Sequence, residues 1–231
     1  MYKTTDGGSA WEKVKEICYV EVISIIEDRV FISYMKKGYL TPMVLRSTDS
    51  GKNWEEIQVK SSVSGSPFSI AFDHVNPDLV YLGFEYLGGK KGVTFKSTDS
   101  GKTWTELNKE FNFDSNVSKI VINPMRSSAQ EMNSVYISTL DGIFKSADSG
   151  ETWTKIYSNQ VSDFCFTEVG DIIALQDNNV IFSKDDGENW ETVFKYELTD
   201  NPDFHQLHVD EKNNKIFIAA AKGLFTVSYE K

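Results

Sequence analysis

The sequence predicts an all-β chain assembled from repeated four-stranded units, and three observations carry that prediction. One eight-residue pattern occurs five times, as Thr4-Thr-Asp6-Gly-Gly8-Ser-Ala-Trp11, Ser47-Thr-Asp49-Ser-Gly51-Lys-Asn-Trp54, Ser97-Thr-Asp99-Ser-Gly101-Lys-Thr-Trp104, Ser146-Ala-Asp148-Ser-Gly150-Glu-Thr-Trp153 and Ser183-Lys-Asp185-Asp-Gly187-Glu-Asn-Trp190. All five tryptophans lie in these copies, 37 to 50 residues apart, which is the spacing of repeat architectures. Between the copies run short alternating apolar segments bounded by turn residues, the signature of half-buried strands.

Each copy reads as a structural turn. The Asp, two residues before the Gly, can accept hydrogen bonds from backbone N–H groups around the bend, and the Gly supplies a positive φ. The leading Ser or Thr hydroxyl can bond locally in the same way, and the Trp opens the next strand with a large apolar surface to bury.

Taken in order, the first turn leads to strands at Ile17–Ile25 and Arg29–Tyr34, with Glu27-Asp28 at the bend. Met43–Arg46 enters the second turn and Trp54–Ile57 leaves it. The same order recurs in Phe68–Phe72, Leu79–Phe84, Val93–Phe95 and Trp104–Leu107, and again in Ser118–Ile122, Ser134–Ser138, Gly142–Lys145 and Trp153–Ile156. Asp163–Thr167, Asp171–Leu175, Val180–Phe182 and Trp190–Val193 make a fourth set. The last unit, Gln206–Val209, Lys215–Ala219 and Gly223–Val227, has no Trp-led fourth strand, while the opening turn has a third and fourth strand but no first or second. The ends complement each other. The expectation is therefore a single domain over residues 1–231, a β-propeller of five blades at about 46 residues each, closed by the N-terminal strand joining the C-terminal blade.

The five turns resemble the Asp-box, or BNR, repeat of sialidases, two-propeller xyloglucanases, sortilin-type receptors and photosystem-assembly propellers, over essentially the whole chain. The resemblance implies a propeller and leaves function open, since those families catalyse, bind peptides or chaperone. A ring of five is a departure from their larger rings, with a fragment or an open arc paired with a second copy as the alternatives, so self-association is expected if the ring is incomplete.

A net charge of −10 argues against nucleic acid as the main partner. No apolar run is long enough to span a membrane. The segment Met1-Tyr-Lys-Thr-Thr has no apolar leader, which places the chain in the cytoplasm if Met1 is the native start and outside it if an upstream part was removed. Cys18 and Cys165 lie in apolar alternating runs and read as buried free thiols. His205 and His208, three apart on a strand, fall on opposite faces and make no joint metal site; His208 reads as a hydrogen-bonded core residue. No metal or cofactor motif is present.

In a propeller the boxes share a face with the bends between strands one and two, and the resembling enzymes bind on the opposite face. Candidate ligand-binding residues there are Tyr34, Tyr39, Tyr86, Phe113, Asp114, Tyr157, Tyr196, Asp203 and Phe204, aromatics and carboxylates of the kind that bind partners or stack sugars. The resemblance makes sialidase activity depend on three arginines converging on a carboxylate. Arg29, Arg46 and Arg126 are the only arginines, and all three fall on the box face. The reading is a non-enzymatic binding or scaffold propeller recognising a protein, peptide or glycan. The alternative is a glycoside hydrolase with a divergent carboxylate pair.

Overall fold

The computed structural model describes residues 1–17, 19–36, 42–60, 65–86, 92–107, 117–125, 134–177, 179–195, 204–221 and 223–229. A hairpin of β1 (Tyr2–Lys3) and β2 (Glu12–Lys13) comes first. Four antiparallel four-stranded meanders follow: β3 (Val20–Ile26), β4 (Arg29–Met35), β5 (Pro42–Ser47) and β6 (Glu55–Gln58); β7 (Gly65–Phe72), β8 (Val80–Tyr86), β9 (Val93–Ser97) and β10 (Thr105–Glu106); β11 (Val117–Ile122), β12 (Val135–Thr139), β13 (Gly142–Ser146) and β14 (Thr154–Tyr157); β15 (Asp163–Phe166), β16 (Ile172–Gln176), β17 (Asn179–Ser183) and β18 (Glu191–Lys195). A three-stranded sheet of β19 (Phe204–Asp210), β20 (Lys215–Ala220) and β21 (Gly223–Ser228) ends the chain. Successive meanders of this kind are the blades of a propeller, and among the described residues no helix is long and apolar enough to cross a membrane.

The core lies in layers between blades, because alternate residues of a strand face opposite neighbours. On β8, Val80, Leu82 and Phe84 pack with Phe31 of the preceding blade, while Tyr81 joins Ile120, Ile122 and Ile137 of the following one. On β12, Tyr136 turns forward to Phe164 and Ile172, and on β16, Ile173 turns forward to Leu207, Ile216 and Ile218. Strand alternation therefore stitches the second, third and fourth blades each to the two beside them.

The innermost strands β3, β7, β11, β15 and β19 lie side by side in that order. Each step carries a polar link. Ser66 Oγ donates to Glu21 Oε1 (2.8 Å), Ser69 Oγ accepts from the Ile120 N–H (3.0 Å), Lys119 Nζ pairs with Asp163 (2.6 Å), and Asp163 Oδ2 accepts from the Leu207 N–H (2.8 Å). These groups are close to the axis, where neighbouring blades approach most nearly and a buried polar atom must find its partner across the gap.

Three expectations change. The N-terminal strand does not extend the C-terminal sheet: among the described residues β2 pairs only with β1, and β21 only with β20. The hairpin instead packs on the first blade, where Met1, Ile17 and Trp54 cover Ile32, Tyr34, Met43 and Leu45. Only Trp153 of the five tryptophans is fully buried, at 7% exposure; Trp11 is 62% exposed. The phase on β19 is the reverse of that expected, with Leu207 buried and His208 exposed, because Leu207 pairs with Ile218 on the face turned to the fourth blade.

Candidate functional site

The five boxes share one hydrogen-bonded geometry. The leading Thr4, Ser47, Ser97, Ser146 or Ser183 hydroxyl accepts from the box Gly N–H at 2.7–2.9 Å. That hydroxyl also donates to the Asp Oδ1. Asp Oδ1 accepts in addition from the N–H four residues on, at 2.8–2.9 Å. Asp Oδ2 accepts from the side chain of Asn53, Thr103, Thr152 or Asn189; in the first box Ala10 has no such donor. Two consecutive residues sit in the left-handed region, Gly51 with Ser50 (φ 83° and 59°) and Gly101 with Ser100 (φ 78° and 58°) among them. Small or Asp side chains tolerate that conformation.

These contacts hold the carboxylates ionised. The Asn53 N–H, the Ser47 hydroxyl and the Asn53 amide bring Asp49 down to about 2. For Asp99 and Asp148 partial burial pushes upward, but the Thr103 or Thr152 hydroxyl and N–H, and the Ser97 or Ser146 hydroxyl, outweigh it and leave each at about 2.

The turns of the second, fourth and fifth boxes are also bonded from one repeat earlier in the chain. The Lys96 ammonium and the Tyr81 hydroxyl both donate to Ser149 O, at 3.2 and 3.1 Å. Lys145 and Tyr136 both donate to the Asp186 carboxylate, and burial followed by the Asp186 bond raises the Tyr136 phenol. Lys3 Nζ donates to Ser50 O at 2.6 Å. Lys3, Lys96 and Lys145, each directly before one box, thus bridge to the next box, a pairing that nothing local in the sequence marks, whereas Arg46 before the second box pairs with Glu55 of its own blade.

Of the candidate ligand residues, Tyr39, Phe113, Asp114, Tyr196 and Asp203 lie outside the described residues, and Tyr86 and Phe204 lie at the ends of β8 and β19. Tyr34 is buried at 4% exposure, and its hydroxyl bond to Glu56 is the main cause holding that carboxyl low. Tyr157 packs its ring 4.9 Å from Trp190 and donates to Gln176 Oε1 at 2.6 Å. These two side chains brace the fold at its rim. Arg29 pairs with Asp78 at 3.2 Å and Arg46 with Glu55 at 2.5 Å, so each guanidinium already has a carboxylate partner within the protein; Arg126 lies outside the described residues.

A cleft of about 680 Å³ opens beside β15 and β19 at the bends between strands one and two, lined by Lys119, Cys165, Glu168, His208, Asp210 and Lys212. It lies on the box face. Burial pushes the Cys165 thiol up to about 12, which removes it as a nucleophile near neutral pH; Cys18 lies outside the described residues. Among the described residues no group of three or more His, Cys, Asp or Glu could hold a metal ion.

The family model for Sortilin-Vps10, described as sortilin, neurotensin receptor 3, matches residues 1–141. Among solved structures, an ancestral GH74 enzyme superposes with TM-score 0.73 at 19% identity, over 100% of this chain and 34% of that one. A GH74 enzyme from Niastella koreensis gives 0.70 at 18%, over 86% and 33%. YCF48 bound to D1 peptide gives 0.65 at 13%, over 90% and 64%. The chain therefore spans about a third of the GH74 enzymes and less than two thirds of YCF48. At these identities the likeness concerns the fold, an Asp-box β-propeller. No curated protein matches the sequence.

Proposed function

This chain belongs to the Sortilin-Vps10 family, and from that premise we propose that it is a non-enzymatic binding or scaffold propeller, a single domain over residues 1–231. Its face opposite the boxes recognises a protein or peptide, with a glycan as the third ligand class. The observation that carries this reading is the engagement of the boxes: every box carboxylate accepts hydrogen bonds from its own turn, and the turns of the second, fourth and fifth boxes are also bonded by a lysine one repeat earlier. Groups so committed hold blades together and leave recognition to the other face.

Further support comes from charge. Among the described residues, every carboxyl group with a displaced pKa is displaced downward, as for a held acceptor, whereas a general acid needs an upward shift. Peptide is the favoured ligand class because the family model is named for a neurotensin receptor and YCF48 was solved with a peptide.

The test is to probe a random linear-peptide array and a glycan array with the whole chain, then with a Tyr86→Ala, Tyr196→Ala, Phe204→Ala triple variant. Saturable peptide binding that weakens roughly tenfold or more in the variant, at unchanged melting temperature, is the expected result. Release of oligosaccharides from xyloglucan by the intact chain would favour the hydrolase reading instead.

A further inference from the structure

The joints between neighbouring blades repeat one contact, and the two outermost sheets each hold half of it. In register, Phe31, Tyr81, Tyr136, Ile173 and Phe217 occupy the same place on the second strand, opposite Ser24, Ala71, Val121, Cys165 and His208. Ile25, Phe72, Ile122, Phe166 and Val209 likewise occupy one place on the first strand. Phe31 meets Phe72 edge-on at 4.9 Å, and Tyr136 meets Phe166 edge-on at 4.8 Å. Tyr81 shares a core layer with Ile122, and Ile173 with Val209. The same contact is thus made four times.

What is left over is Phe217 at one end and Ile25 at the other. Ile70, Ile120, Phe164 and Leu207 are at most 8% exposed, whereas their counterpart Ile23 is 51% exposed and Ile25 is 65% exposed. These two isoleucines line an apolar groove of about 390 Å³ with Tyr2, Trp11, Val30 and Trp54. On the C-terminal sheet, Leu224 is 68% exposed and pairs with Ala219, on the same face as Phe217. The box turns show the same asymmetry. A Cβ at Gly101 or Gly150 would meet Phe31 or Tyr81 of the preceding blade, but at Gly51 the three nearest atoms all belong to its own Trp54.

We propose that the two half-joints meet between copies: the face of β19–β21 bearing Phe217, Ala219 and Leu224 seats on Ile23 and Ile25 of a second copy, head to tail. The occupant is a second copy because the socket has the shape of a joint that this chain builds four times from its own repeats. Within one chain, among the described residues, the main packing of β19–β21 outside their own sheet is against β15 and β16 of the fourth blade. Used twice, the joint closes a pair with no half left over.

The experiment is sedimentation or light scattering of the whole chain from about 1 to about 100 μM, where a joint of modest area passes through half-occupancy. Ile25→Glu blocks one half and Phe217→Glu the other, and circular dichroism and thermal melting confirm that each variant is folded. The expected result has three parts: the unaltered chain goes from one to two chain masses, each variant alone stays at one, and an equimolar mixture of the two, differently labelled, recovers a 1:1 pair. A chain that stays at one mass throughout overturns the proposal. So does either variant pairing with itself as tightly as the unaltered chain, or a mixture that fails to pair.

Discussion

Replacing Gly101 by Ala separates the two roles of a box glycine. The residue has φ +78°, so any Cβ there carries left-handed strain of about 1 kcal/mol. The new methyl group would also lie well inside van der Waals contact of Phe31 Cε1, and Phe31 is fully buried and held edge-on against Phe72. Overpacking of that kind costs about 1–3 kcal/mol, for a total of about 2–4 kcal/mol. In a chain of this size that lowers the melting temperature by roughly 5–15 °C. Gly51→Ala is the control: φ is +83°, a Cβ would lie 3.1 Å from Trp54 as the Gly101 one lies 3.2 Å from Trp104, and the three nearest atoms all belong to Trp54. Urea unfolding of both variants, at dilution where copies do not pair, should show Gly101→Ala losing about 1–3 kcal/mol more. Adding Phe31→Leu to each should recover part of that excess only beside Gly101→Ala. Equal losses at the two glycines would refute the seating of the box on the preceding blade.

Trp153→Ala removes a fully buried ring and should cost about 3–5 kcal/mol by urea unfolding, against well under 1 for the exposed Trp11→Ala. Asp163→Ala should cost about 2–4 kcal/mol in the same assay, since it strands Lys119 and the Leu207 N–H at once. Acid should weaken the fold through the boxes: the Asp99 and Asp148 carboxyls titrate near 2 when folded and near 3.8 when unfolded. Between those values the unfolded chain binds more protons, so their contribution is complete above about pH 4 and fades as pH falls toward 2. The urea midpoint measured across that range should fall less steeply in an Asp99→Asn, Asp148→Asn variant.

Much of this architecture is legible in the sequence because it is local. The Ser-x-Asp-x-Gly turn closes within five residues, so its position fixes where a third strand ends and a fourth begins. Strand alternation is local as well, and the Ile23 and Ile25 side of β3 can be read directly. What stays hidden depends on residues far apart in the chain. Lys145 reaches Asp186 across 41 residues, and Arg29 reaches Asp78 on the next blade. Tyr34 stands at a strand end and reads as a rim aromatic, but the hairpin ahead of its blade buries it. The exposure of Trp11 and His208 has the same origin. Each belongs to an end sheet, and a repeat pattern gives every copy the same environment.

The most direct test of the division between the two faces compares peptide-array profiles of two folded variants, each measured well below its melting temperature. Gly101→Ala disturbs a box and its seat, and Tyr86→Ala with Phe204→Ala alters the opposite face. The box variant should keep the profile of the unaltered chain, and the face variant should lose it. Loss of binding in the box variant at intact fold, with the face variant unaffected, would place recognition on the box face, where the cleft lined by Lys119 and His208 opens.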